Sequence, residues 1–528
     1  MAFQVSPGVL VQERDLTSII PAVSTSIGAV AGQFTKGPLD EIVSISSEQE
    51  LVETFGKPDV NNFEYFFSAA NFLQYSNTLR VVRANQTSQV NASTSGTGVL
   101  VKNTEDWTNN YASGGAAGNA TFVAREAGAY GNTLLVATCP NAAAFEEEGA
   151  TTVNDASTAV GDTAITVTAG ANLNVGDVIS FSTTAATNDY DDGEQYRVTN
   201  ISTNDLTIVQ HPRGSGGLKR TITDGANVRR RWRYYDAVDG APGTSDWTST
   251  RSGANDEIHI VVVDEDGSIS GVPGQILETY SKVSKASDAK TPQGDDNYYP
   301  NVIYTKSRYI WWTKHHSSGS NWGNAASGTT FTAVDTPSNE SLSGGSDGSA
   351  VTTGQLKTAY DKFADSETVD VGLIISGKCD STHVENLITI AEARKDCVVF
   401  ASPERADVVN VTNTNTQKDN VIDFYSSISS SSYVFFDSGY KYMYDRYNDV
   451  YRYVPLNGDM AGLAARTDLI ADSWFSPAGF NRGVVRGAVK LAFNPTKTQR
   501  DELYPKRINP VATFPGQGTV LFGDKTGL

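Results

Sequence analysis

Between Ser26 and Phe34 the chain is almost continuously apolar, with Ile27, Ala29, Val30 and Ala31 in one run. Alternation is missing, so the run predicts a strand covered on both faces. Gly37-Pro38 predicts a turn and Ile42–Ile45 a second strand. Ser47 with Glu50 has the spacing of a capping box, opening a helix that carries Leu51, Val52 and Phe55 on one side. Gly56 and Pro58 predict its stop. A second helix is predicted over 62–75, with Phe63, Phe66, Phe67, Ala70 and Leu73 as its apolar stripe. Leu79–Val82 predicts the strand that follows, and the alternation of strand and helix predicts an α/β layer.

After Ala84 the pattern changes. Residues 85–118 are rich in Gly, Ser, Thr and Asn, which predicts a linker or extended connection. Short alternating runs at 164–168, 178–182, 196–201 and 206–210, separated by Gly-Asp and Asn-Asp turn signals, predict a small sandwich or barrel. Ile258–Val263, Asp266-Gly267 and Ser268–Val272 predict a hairpin. Ile276–Val283 is expected to be a short helix, and 317–349, full of Gly, Ser and Asn, a surface loop. The α/β pattern returns at Gly354–Phe363 (helix), Val369–Ile375 (strand), Ser381–Arg394 (helix) and Val398–Ala401 (strand). Further on, Tyr440–Tyr444 and Val450–Val454 flank a turn at Tyr447-Asn448-Asp449, and Met460–Ala465 reads as helical.

The expected fold class is therefore multidomain α+β: a discontinuous α/β base bracketing an inserted, mainly β region. The boundaries placed on it are 1–25 as a terminal arm, 26–85 with 353–528 as the base, 86–149 with 231–352 as a middle β-rich domain, and 150–230 as an outer β domain. Domain insertion at an exposed loop is physically tolerated. The arm holds one strand signal, Val9-Leu10-Val11, before the polar Gln12-Glu13-Arg14-Asp15. Too little apolar surface follows for it to fold alone, so Val9, Leu10, Val11, Gln12 and Glu13 are expected to pair with a sheet edge.

Composition changes this picture little. A length of 528 residues suits three or so domains, and no run approaches a membrane span. The start, Met1–Gly8, has neither basic residues nor an apolar run, so a secretory signal is not expected. A net charge of −19 opposes nucleic acid and anionic membranes, and serves solubility. Cys139, Cys379 and Cys397 have no zinc or redox spacing and are expected to be buried thiols. Phosphate-binding glycine loops and a nucleophile elbow are both missing, so no catalytic role and no cofactor is expected. His315-His316, on opposite faces of a strand, would not share a metal. Asp264-Glu265-Asp266-Gly267 lacks the twelfth-position acid of a calcium loop and is expected to be a turn. Asp189, Asp191, Asp192 and Glu194 form an acidic tip, expected to be a solvated loop. Arg229-Arg230-Arg231-Trp232-Arg233 is the one basic cluster. Alternation on a strand would split it between faces, and pairing with carboxylates is the expected fate.

Several blocks resemble the contractile tail sheath family of T4-like myoviruses, including cyanophage members. They are Ser6-Pro7-Gly8-Val9 with Glu13, Gly32–Pro38, Phe55–Pro58, Phe72–Ala84, Tyr444–Asp449, Val454–Leu456, Ala461–Asp468, Ser476–Gly483, Ile508–Val511 and Gly516–Thr526. The base is covered almost throughout, and 150–230 is unmatched. The resemblance implies a virion protein, assembled in the host cytoplasm, that stacks as hexameric rings into a helical sheath around a tail tube protein, between baseplate and neck or terminator proteins. It implies contraction that drives the tube through the host envelope, with the arm as an intersubunit strand. The family carries a further C-terminal segment with a second arm after the Gly-Asp-Lys-Thr block. That arm and part of the tube-facing domain are therefore expected to be missing from a chain ending at Leu528, which would leave this form assembly-deficient or merely bound. The alternatives are the sheath of a tailocin-like injection machine and a glycan-binding surface adhesin, the latter suggested by Trp311, Trp312 and Trp322.

Overall fold

The computed structural model describes residues 26–115 and 117–528, so the expected strand Val9–Glu13 lies outside the described residues. Two compact units are present. One holds the described residues up to Phe34, Ile42–Ala84 and Thr352–Leu528; the other holds Thr35–Glu41 and Asn85–Val351. Thr35–Glu41 thus belongs with the inserted residues and not with the strands it connects. Within the second unit its backbone and side chains bond to Lys102, Asn103 and Glu126.

The first unit is built on a seven-stranded sheet. Its order is Ile42–Ile45, Leu79–Arg83, Gly28–Gly32, Leu373–Ile375, Val398–Ala401, Val434–Asp437 and Ile508–Asn509. All pairings are parallel except that of Ile42–Ile45 with Leu79–Arg83. Gly28 faces Leu79 on one side and Leu373 on the other, so this strand joins the two ends of the chain into one sheet. All five residues of Gly28–Gly32 are buried, as a central parallel strand requires. Glycine at 28 lets the Phe72 ring close on the backbone, since a Cβ there would stand 2.6 Å from it.

Helix Glu48–Phe55 starts at Ser47, whose hydroxyl accepts from the Glu50 N–H, and stops at Gly56 with φ 84°. The return half of the capping box is displaced: the Glu50 carboxylate accepts from the N–H and hydroxyl of Ser46. Helix Phe63–Phe72 is buried from Glu64 onward on every side, where one stripe was expected. The cause is a second cover, helix Asn457–Ile470, which packs on it.

The second unit holds a six-stranded antiparallel sheet ordered Glu146–Thr152, Ala226–Arg231, Val178–Ala185, Gln195–Ser202, Asp205–His211, Ala164–Thr166. A bridge between Val153 and Val167 joins its two ends, so the sheet closes around Ile179, Phe181, Tyr196, Val198, Leu206 and Ile208. Closure removes the exposed edges an open sheet would leave. A four-stranded sheet (Gln275–Ser284, Glu257–Asp264, Leu134–Cys139, Ser338–Ser341) and a three-stranded one (Ile310–Trp312, Phe122–Ala127, Asn91–Ser93) share another core.

Four expectations fail in this unit. The partner of Glu257–Asp264 is Gln275–Ser284, so Ile276–Val283 is a strand and not a helix. Register shifts between Ile258 and Ile260 and between Val262 and Val263 break the two-residue period, leaving an apolar spacing that mimics a helix. Ser268–Val272 is a loop. The Asp264 carboxylate holds it, accepting from the N–H groups of Gly267, Ile269 and Ser270. Residues 85–118 contain the strand Asn91–Ser93 and the helix Thr104–Asn110, with Trp107 buried. Residues 317–349 bury Trp322 and Phe331 and supply Ser338–Ser341 to a sheet.

Candidate assembly interface

The base hairpin Tyr440–Asp445/Val450–Pro455 is fastened to the early helices by side chains far apart in sequence. Asp445 accepts from the N–H groups of Tyr447 and Asn448 and from Arg452 Nε, which fixes the turn. That turn delivers the Asn448 amide to the Pro58 carbonyl at 2.9 Å and the Tyr447 hydroxyl to Glu48 at 2.8 Å. The Tyr447 ring meets Phe66 edge-on at 5.6 Å.

Beneath the hairpin lies a buried polar clamp. Lys441 Nζ donates to Asp459 Oδ1 at 2.9 Å and to the Arg486 carbonyl at 2.8 Å. The Tyr75 hydroxyl donates to the same Asp459 oxygen at 3.0 Å and accepts from the Arg486 N–H at 2.7 Å. Burial raises the Asp459 carboxyl, and the Lys441 ammonium opposes the shift. Two more carboxyls are sunk nearby in sequence or space. Glu64 is raised by burial and accepts from the Tyr440 hydroxyl at 3.1 Å. Asp437, bonded to the Ser402 hydroxyl at 2.7 Å, is pushed by burial up to about 8. Asp437 and Asp459 are fully buried, whereas Glu64 reaches a cleft that Cys379 and Lys378 also line.

Among the described residues Val450–Pro455 pairs only with Tyr440–Asp445, leaving its other edge open. Tyr451 on this strand is 53% exposed and stacks on Tyr442 at 5.4 Å. A cleft of about 630 Å³ adjoins the strand, lined by Phe63, Lys378, Arg405, Tyr451, Arg452 and Tyr453 among others. An open edge beside cationic and aromatic side chains is a surface that can take an extended peptide.

The other sequence candidates resolve individually. Arg229 and Arg231 both reach Asp192, Arg231 also pairs with Glu146 at 2.7 Å, and Arg220 pairs with Glu194 at 2.7 Å. The basic cluster and the acidic tip, separate in sequence, are therefore joined to each other. Arg230 lies on the opposite face, fully buried, donating to the carbonyls of Ala143, Asn172 and Asp335 and pairing with Glu147 at 3.0 Å. His315 shares hydrogen bonds with the Tyr299 and Tyr298 hydroxyls, and burial drops it to about 4. His316 instead accepts from the Ser318 N–H. Asp264 spends its oxygens on loop donors and the Thr133 hydroxyl; burial raises its carboxyl, but these bonds hold it below the ordinary range. All three cysteines are free and buried, and burial pushes the Cys397 thiol up to about 11. Among the described residues no His/Cys/Asp/Glu group is placed to hold a metal, and no helix is long and apolar enough to cross a membrane. The clamp is what sequence reasoning missed, because Tyr75, Lys441, Asp459 and Arg486 form no local motif.

Family models divide the base between them. One described as the phage tail sheath protein central domain matches residues 349–527. Another, the tail sheath protein Gp18 domain III N-terminal region, matches 25–84. The tail sheath protein of Enterobacteria phage T4 is 31% identical over 99% of this chain and 81% of its own. That of Vibrio phage KVP40 is 28% identical over 99% of this chain and 82% of its own. Among solved structures, a sheath tail protein from Desulfitobacterium hafniense aligns over 99% of this chain and 75% of its own, at 10% identity and a TM-score of 0.40. With 31% identity to the T4 protein over an alignment that spans 99% of this chain, the polypeptide belongs to the tail sheath proteins of contractile bacteriophage tails.

Proposed function

We propose that copies of this virion protein polymerise as stacked hexameric rings around a tail tube protein, between baseplate and neck proteins, after synthesis in the host cytoplasm. The sheath then shortens and widens, driving the tube through the host envelope. Residues 26–85 with 353–528 act as the inner base, 86–149 with 231–352 as a middle domain, and 150–230 as the outer domain. Val9, Leu10, Val11, Gln12 and Glu13 act as a strand that pairs with a neighbour's sheet edge, so that subunits stay tethered while their bodies rotate. Energy is held in the metastable assembly and released on repacking, with no nucleotide required.

The near full-length likeness to tail sheath proteins carries this reading. The open edge of Val450–Pro455 supports strand exchange, because main-chain groups there have no partner strand among the described residues. The test is removal of residues 1–20. Light scattering and negative-stain microscopy should show loss of self-association with an unchanged circular dichroism spectrum. Association at undiminished strength would overturn the arm's role.

A further inference from the structure

Trp311, Trp312 and Trp322, the tryptophans that suggest glycan binding in the sequence, are all buried in the core of the second unit. Trp247 of the same unit is only partly buried, and it lines a cleft of about 1050 Å³. The wall is built on buried groups. Ser245 caps the short helix Asp246–Ser249 that carries Trp247. Asp256, itself fully buried, accepts from the Ser245 N–H and hydroxyl, each at 2.8 Å. The Glu257 carboxylate, also on the lining, accepts from the Gly243 N–H at 2.8 Å. A further stretch of wall is a β-bulge: between the pairs Ile258–Val283 and Ile260–Tyr280, Ser281 and Lys282 oppose His259 alone. Lys282 has φ 52°, in the left-handed region, and its N–H donates to His259 Nδ1 at 2.9 Å. Bulges re-aim side chains, and a non-glycine residue held left-handed stores strain of the kind found at functional sites. Ser281 and Lys282 both line the cleft.

The lining narrows the class of ligand. Its cations are Arg251, Lys282 and Lys290, and its carboxylates Asp246 and Glu257. Arg251 is committed to Trp247, with the guanidinium 3.4 Å from the ring centroid, and Lys290 stands 4.0 Å from Asp296. Neither sign is left in excess, so the cleft selects neither a polyanion nor a polycation. The amides of Gln293 and Asn297 make it too polar for an apolar guest. Trp247 adds an Nε1–H that is buried and has no hydrogen-bond partner among the described residues. Buried indole N–H groups ordinarily have an acceptor, so this one calls for an oxygen from outside the chain. A neutral molecule dense in hydroxyl groups meets every condition, because each hydroxyl both donates to carboxylates and accepts from ammonium, amide and indole N–H groups. Drug-sized ligands occupy roughly 300–1,000 Å³, so the cleft has room for more than one sugar ring.

We propose that the cleft around Trp247 binds a neutral oligosaccharide, with Glu257 accepting from its hydroxyl groups and Lys282 donating to them. The site does not rest on the sheath reading and is separate from self-association. It is tested on the full chain by saturation-transfer NMR and isothermal titration calorimetry. The probes are maltohexaose and hexasaccharide fragments of a neutral O-antigen, with a sulfated dextran fragment as the anionic control. At least one neutral probe should bind. Tighter binding of the O-antigen fragments marks a cell-surface polysaccharide as the source, and tighter binding of maltohexaose a free glucan. Glu257→Gln keeps an acceptor for the Gly243 N–H, and Lys282→Gly suits the left-handed backbone at that position. Each should weaken binding by about fivefold, the scale of one lost hydrogen bond, with the melting curve of Lys282→Gly no lower than that of the wild type. Failure of every neutral probe to bind at millimolar concentration overturns the site. Preference for the sulfated dextran overturns the ligand class, and binding untouched by both variants overturns the location.

Discussion

Lys441 Nζ stands 2.9 Å from Asp459 Oδ1, and neither side chain reaches solvent. A buried pair of this kind contributes little net stability over an apolar pair of equal volume, yet removing one partner strands the other charge. Lys441→Met should therefore cost about 3–5 kcal/mol. The Lys441→Met/Asp459→Leu double variant should recover much of that loss, though the Arg486 carbonyl would lose its Lys441 donor and the Tyr75 hydroxyl its acceptor. Urea denaturation of the three chains measures both. Equal destabilisation by single and double variants would mean that the pair acts through geometry alone.

Asp437 makes the base sensitive to pH. Burial pushes its carboxyl up to about 8, against an unfolded value near 4. The folded state therefore holds a proton that the unfolded chain has released. The contribution to stability is fully present below about pH 4 and is lost as pH rises towards 8. Asp437→Asn keeps an acceptor for the Ser402 hydroxyl and cannot titrate. The wild type should lose up to roughly 1 kcal/mol per pH unit relative to this variant between pH 5 and 8. Parallel stability curves for the two proteins would refute the assignment.

Arg230 should be the costliest arginine of its cluster. Its side chain is buried and serves three backbone carbonyls, those of Ala143, Asn172 and Asp335, all outside the barrel strands. Arg230→Met should lower stability by about 3–5 kcal/mol, since it leaves those carbonyls and Glu147 without their charged partner. Exposed Arg213→Ala should stay within about 0.5 kcal/mol. Chemical denaturation followed by the fluorescence of buried Trp232 reads the difference.

The base was legible because a parallel strand covered on both faces must be apolar throughout, as Ala29–Ala31 and Val398–Ala401 are. The inserted unit was less so. Its core is completed by lone aromatics set in Gly/Ser/Asn-rich segments, where periodicity carries no signal. Trp107 shows why: its Nε1–H bonds to the carbonyl of Trp312, a partner 205 positions away. Charge runs at 189–194 and 229–233 announce themselves in sequence, but that they neutralise each other is a property of the closed barrel.

Gly458 offers a test in which helix propensity and packing predict opposite signs. It lies in the first turn of helix Asn457–Ile470, and a Cβ there would fall well inside van der Waals distance of the Ser68 carbonyl oxygen, on helix Phe63–Phe72. Four residues on, a Cβ at Gly462 would drive into the Tyr75 ring, the same side chain that bonds Asp459. Propensity alone says that Gly→Ala stabilises a helix by up to about 1 kcal/mol. Here the obstacle at 458 is backbone and cannot rotate away, so the two helices would have to separate, at a cost of about 1–3 kcal/mol from overpacking. Gly458→Ala should therefore lower the melting temperature, and Gly462→Ala should lower it while also weakening the Tyr75–Asp459 contact. A rise in melting temperature for Gly458→Ala would show that the helices have room to move apart, and that the all-round burial of Phe63–Phe72 does not depend on this close approach.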